Sequence, residues 1–280
     1  MASPELTSPR SARVQAARRL AKRAFRARER RFLAEGPQAV REAVARHAAG
    51  RDTVVELFVT ADAAARHPDI TAPALAAGLP VHQVSGEVMT ALAQTVTPQG
   101  VVAVCHLLDE PLADVAAAAH GLVALLAHVR DPGNAGTVIR TADAAGADAV
   151  VLAGESVDPY NGKCVRASAG SIFHLPIAAG QAVDAAVAAL RARGLRVLAA
   201  DGHGDLDLDD AIDDGRLDGP TAWLFGNEAW GLPPESRALA DDVVRVPIHG
   251  HAESLNLATA AAVCLYASAR AQRSAVRGRT

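Results

Sequence analysis

Short apolar runs alternate with stretches of helical periodicity along most of this chain of 280 residues. The runs are rich in Val, Leu and Ala and predict strands near residues 54–60, 81–85, 101–108, 122–128, 148–153, 172–175, 195–200, 221–225 and 243–246. Helices are predicted near residues 37–48, 71–77, 87–94, 135–145, 181–193, 234–240 and 256–271. Strands that alternate with helices favour a mainly parallel sheet covered on both faces, so the predicted fold class is α/β.

The alternation stops near residue 108 and starts again near residue 121, which indicates more than one domain. We predict a basic arm over residues 1–31, a small α/β domain over 32–108, a linker over 109–120, a larger α/β domain over 121–272 and a tail over 273–280. No apolar run is long enough to span a membrane, and residues 1–31 lack the apolar centre of a signal peptide. We therefore predict a cytoplasmic protein with no membrane partner.

Positive charge is concentrated in the basic arm. Residues 1–31 hold ten Lys or Arg and two acidic residues, a balance of +8, whereas the whole chain carries −3 and the remainder therefore −11. A basic segment on an acidic body is typical of an RNA contact, and the predicted contacts are Arg18, Arg19, Lys22 and Arg23. Up to about Arg10, a solvated tail explains the composition equally well, and from Val14 to Arg31 the composition is also compatible with a basic helix.

Several common kinds of site are not supported by the sequence. There is no GxGxxG after a strand and no GxxxxGK[ST], and Ser168 lies in RASAG, which lacks the first glycine of a nucleophile elbow. The three cysteines form no CxxC pair, and Cys164, in a polar segment, is the one candidate nucleophile. His249 and His251 lack further ligands, and the Asp-rich stretch 201–218 departs from a calcium loop. We predict no metal site.

Polar residues follow strand ends in three segments. In HVRDPGNAGTVIR (residues 128–140), a strand runs into a Pro-Gly turn, Asn134 stands where a helix N-cap belongs, and Arg140 points away from the apolar helix face. In WLFGNEAWGLP (223–233), Gly226 ends a strand, and a glycine there permits close approach of the backbone to a ligand. In VPIHGHAESLNLATAAAVCLY (246–266), a polar loop leads into a helix of small residues. Each segment alone is compatible with an ordinary strand-to-helix connection.

Together, in this order and spacing, the three segments closely resemble the motifs of the SpoU (TrmH-like) branch of the SPOUT RNA methyltransferases. The similarity covers roughly residues 120–272 and includes KCVRASAGSIFHLP (163–176), where Lys163 and Arg166 are further predicted RNA contacts. EGPQAVREA and TPQGVVAV in the first domain resemble, more loosely, the substrate-binding domain that often accompanies this family.

The resemblance implies a parallel-sheet domain whose C-terminal part forms a deep trefoil knot, preceded by a small α/β substrate-binding domain. The knot loops of this family bind S-adenosylmethionine, and family members are usually homodimers with the site at the subunit interface. By motif match, the expected lining of the cofactor pocket is Leu224, Gly226, Val246, Ile248 and Leu255.

The implied activity is methyl transfer to a ribose 2′-hydroxyl of structured RNA, ribosomal or transfer. The residues carried over as catalytic are Asn134, Arg140, Glu228, Ser254 and Asn256. Arg140 matches an arginine often assigned as the base, but arginine is essentially always protonated, so a second role is to hold phosphate and stabilise a developing alkoxide. Two alternatives stay open: an RNA-binding protein of this fold without catalysis, and a SPOUT enzyme that methylates a base.

Overall fold

The computed structural model describes residues 5–227 and 229–277. The strands are β1 Arg31–Glu35, β2 Val54–Val59, β3 Val81–Gln83, β4 Val101–His106, β5 Leu122–Ala127, β6 Ala149–Ala153, β7 Ile177–Gln181, β8 Arg196–Ala200, β9 Leu206–Asp207, β10 Thr221–Phe225 and β11 Asp242–Arg245. The helices are α1 Ala12–Arg19, α2 Arg23–Glu29, α3 Pro37–Ala48, α4 Ala61–Arg66, α5 Pro68–Ala76, α6 Gly86–Leu92, α7 Leu112–Ala118, α8 Pro132–Ala145, α9 Gly162–Ala167, α10 Val183–Ala192, α11 Leu208–Asp213, α12 Pro234–Arg237 and α13 Leu257–Arg277.

The chain divides into two compact units. The N-terminal unit contains the described residues up to Leu108 together with Tyr160–His174, and the C-terminal unit contains Asp109–Pro159 and the described residues from Leu175 onward. The sheet of the N-terminal unit has the order β1-β4-β2-β3, in which β4 is antiparallel to β1 and β2, and β3 is parallel to β2.

The basic segment is folded into the N-terminal unit, which differs from the predicted separate arm. Helix α1 begins after the N-cap Ser11, and its apolar side chains are buried in the core of that unit: Val14, Ala17 and, just after the helix, Leu20. The buried guanidinium of Arg26 in α2 donates to the carbonyl oxygens of Leu20 and Ala21. No domain boundary therefore lies at residue 31, because the apolar face of α1 needs the sheet to cover it.

Residues 160–174 leave the larger predicted domain and fold with the N-terminal unit. The ring of Phe32 lies 4.7 Å from that of Tyr160 and 6.0 Å from that of Phe173, measured between centroids. The strand predicted near 172–175 is wrong: Ser171–Phe173 is a short 3₁₀ helix, and the strand follows at β7. The apolar residues of this stretch pack around Phe32 instead of pairing in a sheet.

The C-terminal unit contains a seven-stranded, entirely parallel sheet of order β7-β6-β5-β10-β8-β11-β9. One face packs against α7 and α10, so the predicted linker over 109–120 is part of this unit: Val115 and Ala116 are buried in its core. On the other face, the indole nitrogen of Trp223 donates to the hydroxyl of Ser268 in α13, at 2.8 Å. The prediction of an α/β fold with a parallel sheet is confirmed; the knot stays a prediction.

All three cysteines are free and buried. Burial raises the pKa of the Cys264 thiol to about 12 and that of Cys105 further still. The prediction of Cys164 as a candidate nucleophile is wrong in its premise, because its side chain is buried and not in a polar surface segment. Within the described ranges, no helix is both long and apolar enough to cross a bilayer, and no group of three metal-ligating residues is assembled.

Candidate functional site

Loops from three strands of the parallel sheet are held together by His128. This residue follows β5 and adopts a left-handed conformation, with φ of 57°. Its carbonyl oxygen accepts from the amide of Asn227, which follows β10, at 2.9 Å, and its ring Nδ1 lies 3.2 Å from the backbone nitrogen of Glu155, which follows β6. The carboxyl ends of parallel strands are where open α/β sheets bind ligands, so His128 organises the edge where a site is expected.

Gly154 makes room for the His128 ring. A Cβ atom at Gly154 would lie 2.6 Å from Nδ1 of that ring, and the φ of Gly154 is +62°. The role of His128 in connecting the three loops was not predicted from the sequence. The one signal available was a glycine at the end of β6, which can mark a close approach.

Gly226 is required by the backbone of its own loop. A Cβ atom there would lie 2.5 Å from the carbonyl oxygen of Gly231 and 2.6 Å from the nitrogen of Leu232. Asn227 and Gly231 exchange two backbone hydrogen bonds, of 2.8 and 2.9 Å, which close a short turn. The close approach that the structure shows at Gly226 is to Gly231 and Leu232 of the same loop, and the approach to a ligand stays a prediction.

Helix α8 begins three residues earlier than predicted, and its N-cap is Asp131. The Asp131 carboxylate accepts from the backbone nitrogen of Asn134 at 2.8 Å, and Pro132 occupies the first turn. The prediction of Asn134 as the N-cap is therefore wrong. Because Asp131 takes the capping role, the side chain of Asn134 does not have to cap its own helix.

Asn134 and Asn256 are hydrogen-bonded to each other. The Asn256 amide donates to Oδ1 of Asn134 at 3.1 Å, while its own Oδ1 accepts from the backbone nitrogen of Ala258 at 2.9 Å. Asn256 thus caps α13 and at the same time joins that cap to the first turn of α8. At the other end of α8, the guanidinium of Arg273 donates to the carbonyl oxygen of Ala145. The two helices therefore run side by side in the same direction.

The structure does not join the other predicted catalytic residues to this asparagine pair. Arg140 lies on an exposed position of α8, and its guanidinium makes no recorded hydrogen bond or ion pair with the residues that the structure describes. Ser254 is exposed on the loop before α13 and caps nothing, since Asn256 does so. Glu228 lies outside the described residues.

The predicted cofactor residues range from the core to an open loop. Leu224 is fully buried in the sheet core, and its contact with a cofactor stays a prediction. Val246 is half-buried, while Ile248 and Leu255 are 38% and 36% exposed on the loop between β11 and α13. Within residues 248–255 the backbone makes no hydrogen bond to another described backbone group. Small-molecule sites combine apolar side chains with a few polar groups, and this loop offers both.

The predicted RNA contacts all lie in the N-terminal unit. Arg166 is paired internally: its guanidinium lies 3.1 Å from the buried carboxylate of Glu35, which also accepts from the backbone nitrogen of Gln94. Lys163 is exposed at the start of α9. Exposed positions on or beside α1 and α2 hold the remaining contacts, Arg18, Arg19, Lys22 and Arg23.

With this geometry established, comparison with known proteins decides the family. Residues 121–266 match the SpoU rRNA Methylase family over the three motif segments. The chain belongs to the SpoU rRNA methylase family. Residues 11–103 match the MRM3-like substrate binding domain. That second match starts within the predicted basic arm, in agreement with the packing of α1 into the N-terminal unit.

Relatives of this SpoU family member match it over between about two thirds and almost all of its length. The 23S rRNA (guanosine(2553)-2'-O)-methyltransferase of Bacillus subtilis is 32% identical over 94% of this chain and 98% of its own. The 23S rRNA (uridine(2479)-2'-O)-methyltransferase of Streptomyces viridochromogenes is 39% identical over 65% of this chain and 63% of its own. The AdoMet-bound rRNA methyltransferase of Sinorhizobium meliloti superposes with a TM-score of 0.80, at 34% identity, over 95% of this chain and 97% of its own.

Proposed function

We propose that this SpoU family member transfers a methyl group from S-adenosylmethionine to a ribose 2′-hydroxyl of ribosomal RNA. The observation that carries the proposal is the meeting of the three motif segments at one edge of the sheet, through His128 with Asn227 and through Asn134 with Asn256. The names of the two relatives, both 2′-O-methyltransferases of 23S rRNA, support the same reaction. They modify different nucleotides, so the proposal extends to the ribose and not to one position.

The cofactor would be held by the loops that follow β10 and β11. Ile248 and Leu255 would contact its apolar surface, and backbone groups of residues 248–255 would bind its polar atoms. Gly226 keeps the opposite loop closed. The cofactor supplies an electrophilic methyl group on a sulfonium. The residues of the chain bind and orient, and positioning of this kind is a large part of catalysis.

Arg140 is proposed to act on the RNA and not on the cofactor. It is exposed, and it forms no ion pair with another described residue that would neutralise its charge. Because a guanidinium stays protonated, its proposed role is to hold a phosphate and stabilise the negative charge that develops on the ribose oxygen. Ser254 and Glu228 are proposed to order the neighbouring loops.

A second copy of the chain is the proposed partner besides RNA. Helix α13 exposes Val263 and Tyr266, at 39% and 51%, on the face turned away from its own core. These two positions lie three residues apart and therefore adjoin on the helix surface. The proposed homodimer would cover these two side chains. The proposed location is the cytoplasm.

The proposal is tested by mapping 2′-O-methyl groups in ribosomal RNA from cells with and without the gene. One site should be lost on deletion and restored by the wild-type protein but not by Asn256→Ala. Purified protein with labelled cofactor should then methylate the unmodified RNA, and the product should resist alkaline cleavage at that position. Binding of RNA without label transfer would favour the non-catalytic alternative, and a labelled product that alkali still cleaves would favour base methylation.

A further inference from the structure

An exposed tryptophan lies on the loop that carries Asn227 and Gly231. Trp230 is 53% exposed, whereas the only other tryptophan of the chain, Trp223, is fully buried. The guanidinium carbon of Arg130 lies 5.0 Å from the centroid of the Trp230 ring. Arg130 in turn forms an ion pair with Glu155. The indole therefore has a cation over its ring and about half of its surface exposed to solvent.

The tryptophan is held in place by the loop contacts of the site itself. The turn that carries it is closed by the backbone pairing of Asn227 with Gly231, and Asn227 is bound to the carbonyl of His128. Arg130 and Glu155 follow β5 and β6 in the loops that His128 also joins. Trp230 is thus a fixed ring at the same sheet edge as the proposed catalytic groups, and not a side chain on a free tail.

We propose that the exposed part of the Trp230 indole stacks on a nucleobase of the RNA substrate, while Arg130 holds the ring in place. Proteins that read unpaired RNA stack bases on aromatic rings and on guanidinium planes. Arg130 and its ion pair with Glu155 support the ring from the other side, so the indole is presented for such a contact. This assignment rests on the proposed function, since it places the stacked base next to the ribose to be methylated.

The chain offers a direct optical test, because it holds two tryptophans of opposite exposure. In a Trp223→Phe variant only Trp230 emits. Titration with unmodified 23S rRNA fragments, in the absence of cofactor, should quench this emission and shield it from acrylamide. In a Trp230→Phe variant the remaining Trp223 should respond little, and its buried emission reports that the protein is folded.

Affinity for the same RNA should fall roughly ten- to a hundredfold in Trp230→Ala, the loss typical of one base stack. Trp230→Phe should retain most of the affinity because an aromatic ring remains, and S-adenosylmethionine affinity should be unchanged in both variants. Quenching and RNA affinity are measured without methyl transfer. The stacking assignment can therefore be confirmed even if the proposed reaction is wrong, and it can be wrong even if 2′-O-methylation is confirmed.

Three results would overturn the stacking assignment. Quenching by S-adenosylmethionine alone would place Trp230 in the cofactor pocket. Shielding from acrylamide that depends on protein concentration, without RNA, would place it between copies of the chain. Wild-type RNA affinity in Trp230→Ala, with folded Trp223 emission, would show that the ring contacts no base.

Discussion

At the scale of single residues, the site depends on which polar side chain caps which helix. Asp and Asn are both residue types that favour the N-cap position, so Asp131 and Asn134 are both candidates, and Pro132 stands between them. Proline is favoured in the first helical turn, which marks Asp131 as the cap. That signal was present in the sequence. The contact of Asn134 with Asn256 could not be predicted in the same way. The two residues are 122 positions apart in the sequence, and only the fold brings them together.

Arg140→Ala should reduce methyl transfer by roughly two to three orders of magnitude, the usual effect of losing one group that stabilises transition-state charge. Affinity for S-adenosylmethionine should be nearly unchanged, because the contact is made in the transition state. Arg140→Lys should also fail, since lysine keeps the charge without the planar fork. Single-turnover methylation with saturating cofactor measures the effect.

The control for that series is Arg193→Ala, another exposed arginine, which follows α10. It should transfer methyl at the wild-type rate. A folded Arg140→Ala variant that matches Arg193→Ala in rate would make Arg140 a surface residue and remove the proposed role.

Gly226→Ala should disrupt the cofactor site, because the added methyl group would lie 2.5 Å from the carbonyl oxygen of Gly231. Backbone atoms must move to relieve this overlap, so the turn that Asn227 closes would open. Calorimetry should show a loss of S-adenosylmethionine binding. Gly219→Ala is the matched control, since a Cβ there meets nothing within 4 Å. Equal affinity in both variants would show that the turn does not shape the pocket.

At the scale of elements, α1 and α2 turn a basic stretch of sequence into an ordered surface. Val14 and Ala17 are buried, so the exposed cations of α1, Arg13, Arg18 and Arg19, are held outward at defined positions. The sequence predicted the positive charge of this segment, and a basic helix was one of two interpretations of residues 14–31. The packing was not predictable, because an alternation of small apolar and basic residues is equally typical of a detached helix.

Replacing the four exposed cations Arg18, Arg19, Lys22 and Arg23 with Gln should weaken RNA binding and flatten its dependence on salt. Each lost phosphate contact lowers the slope of log affinity against log salt by about 0.7 to 0.9. The melting temperature and cofactor affinity should stay at wild-type values, since none of the four side chains is buried. Arg51→Gln with Arg66→Gln, two exposed arginines of the same unit, is the comparison. A slope equal to that of the comparison variant would show that this surface does not touch RNA.

Most strands and helices were predictable, and the clearest error has a physical cause. The run Ile172–Phe173 is apolar and was predicted to belong to a strand, but it forms a 3₁₀ helix. Periodicity reports that a side chain will be buried and not which core will bury it. Here Phe173 packs on Phe32, far away in sequence, so its neighbours on both sides give no warning.

At the scale of the whole molecule, the N-terminal unit is discontinuous in sequence. In the sequence, its second piece, Tyr160–His174, comes after β6 and before β7 of the C-terminal unit. This piece is held in the N-terminal unit by the ion pair of Arg166 with Glu35. The predicted boundaries at 32–108 and 121–272 could not show this. A contiguous family match over residues 121–266 hides it as well.

Phe58→Ala, a cavity in the core of the N-terminal unit, should raise amide hydrogen exchange in residues 160–174 along with β1, β2 and β4. The expected destabilisation is roughly 3–5 kcal/mol. Leu152→Ala in β6 should instead raise exchange in the parallel sheet. If residues 160–174 respond to Leu152→Ala and not to Phe58→Ala, they belong energetically to the C-terminal unit.

The discontinuity also decides how this enzyme can be recombined with its relatives. A chimera that exchanges only the residues before 109 would inherit Arg166 and Phe173 from one parent and their partners Glu35 and Phe32 from the other. Three breakpoints are needed to transplant the unit intact, at 108/109, 159/160 and 174/175. Substrate preference in such proteins therefore cannot be exchanged as a single cassette, and the short second piece must travel with the first.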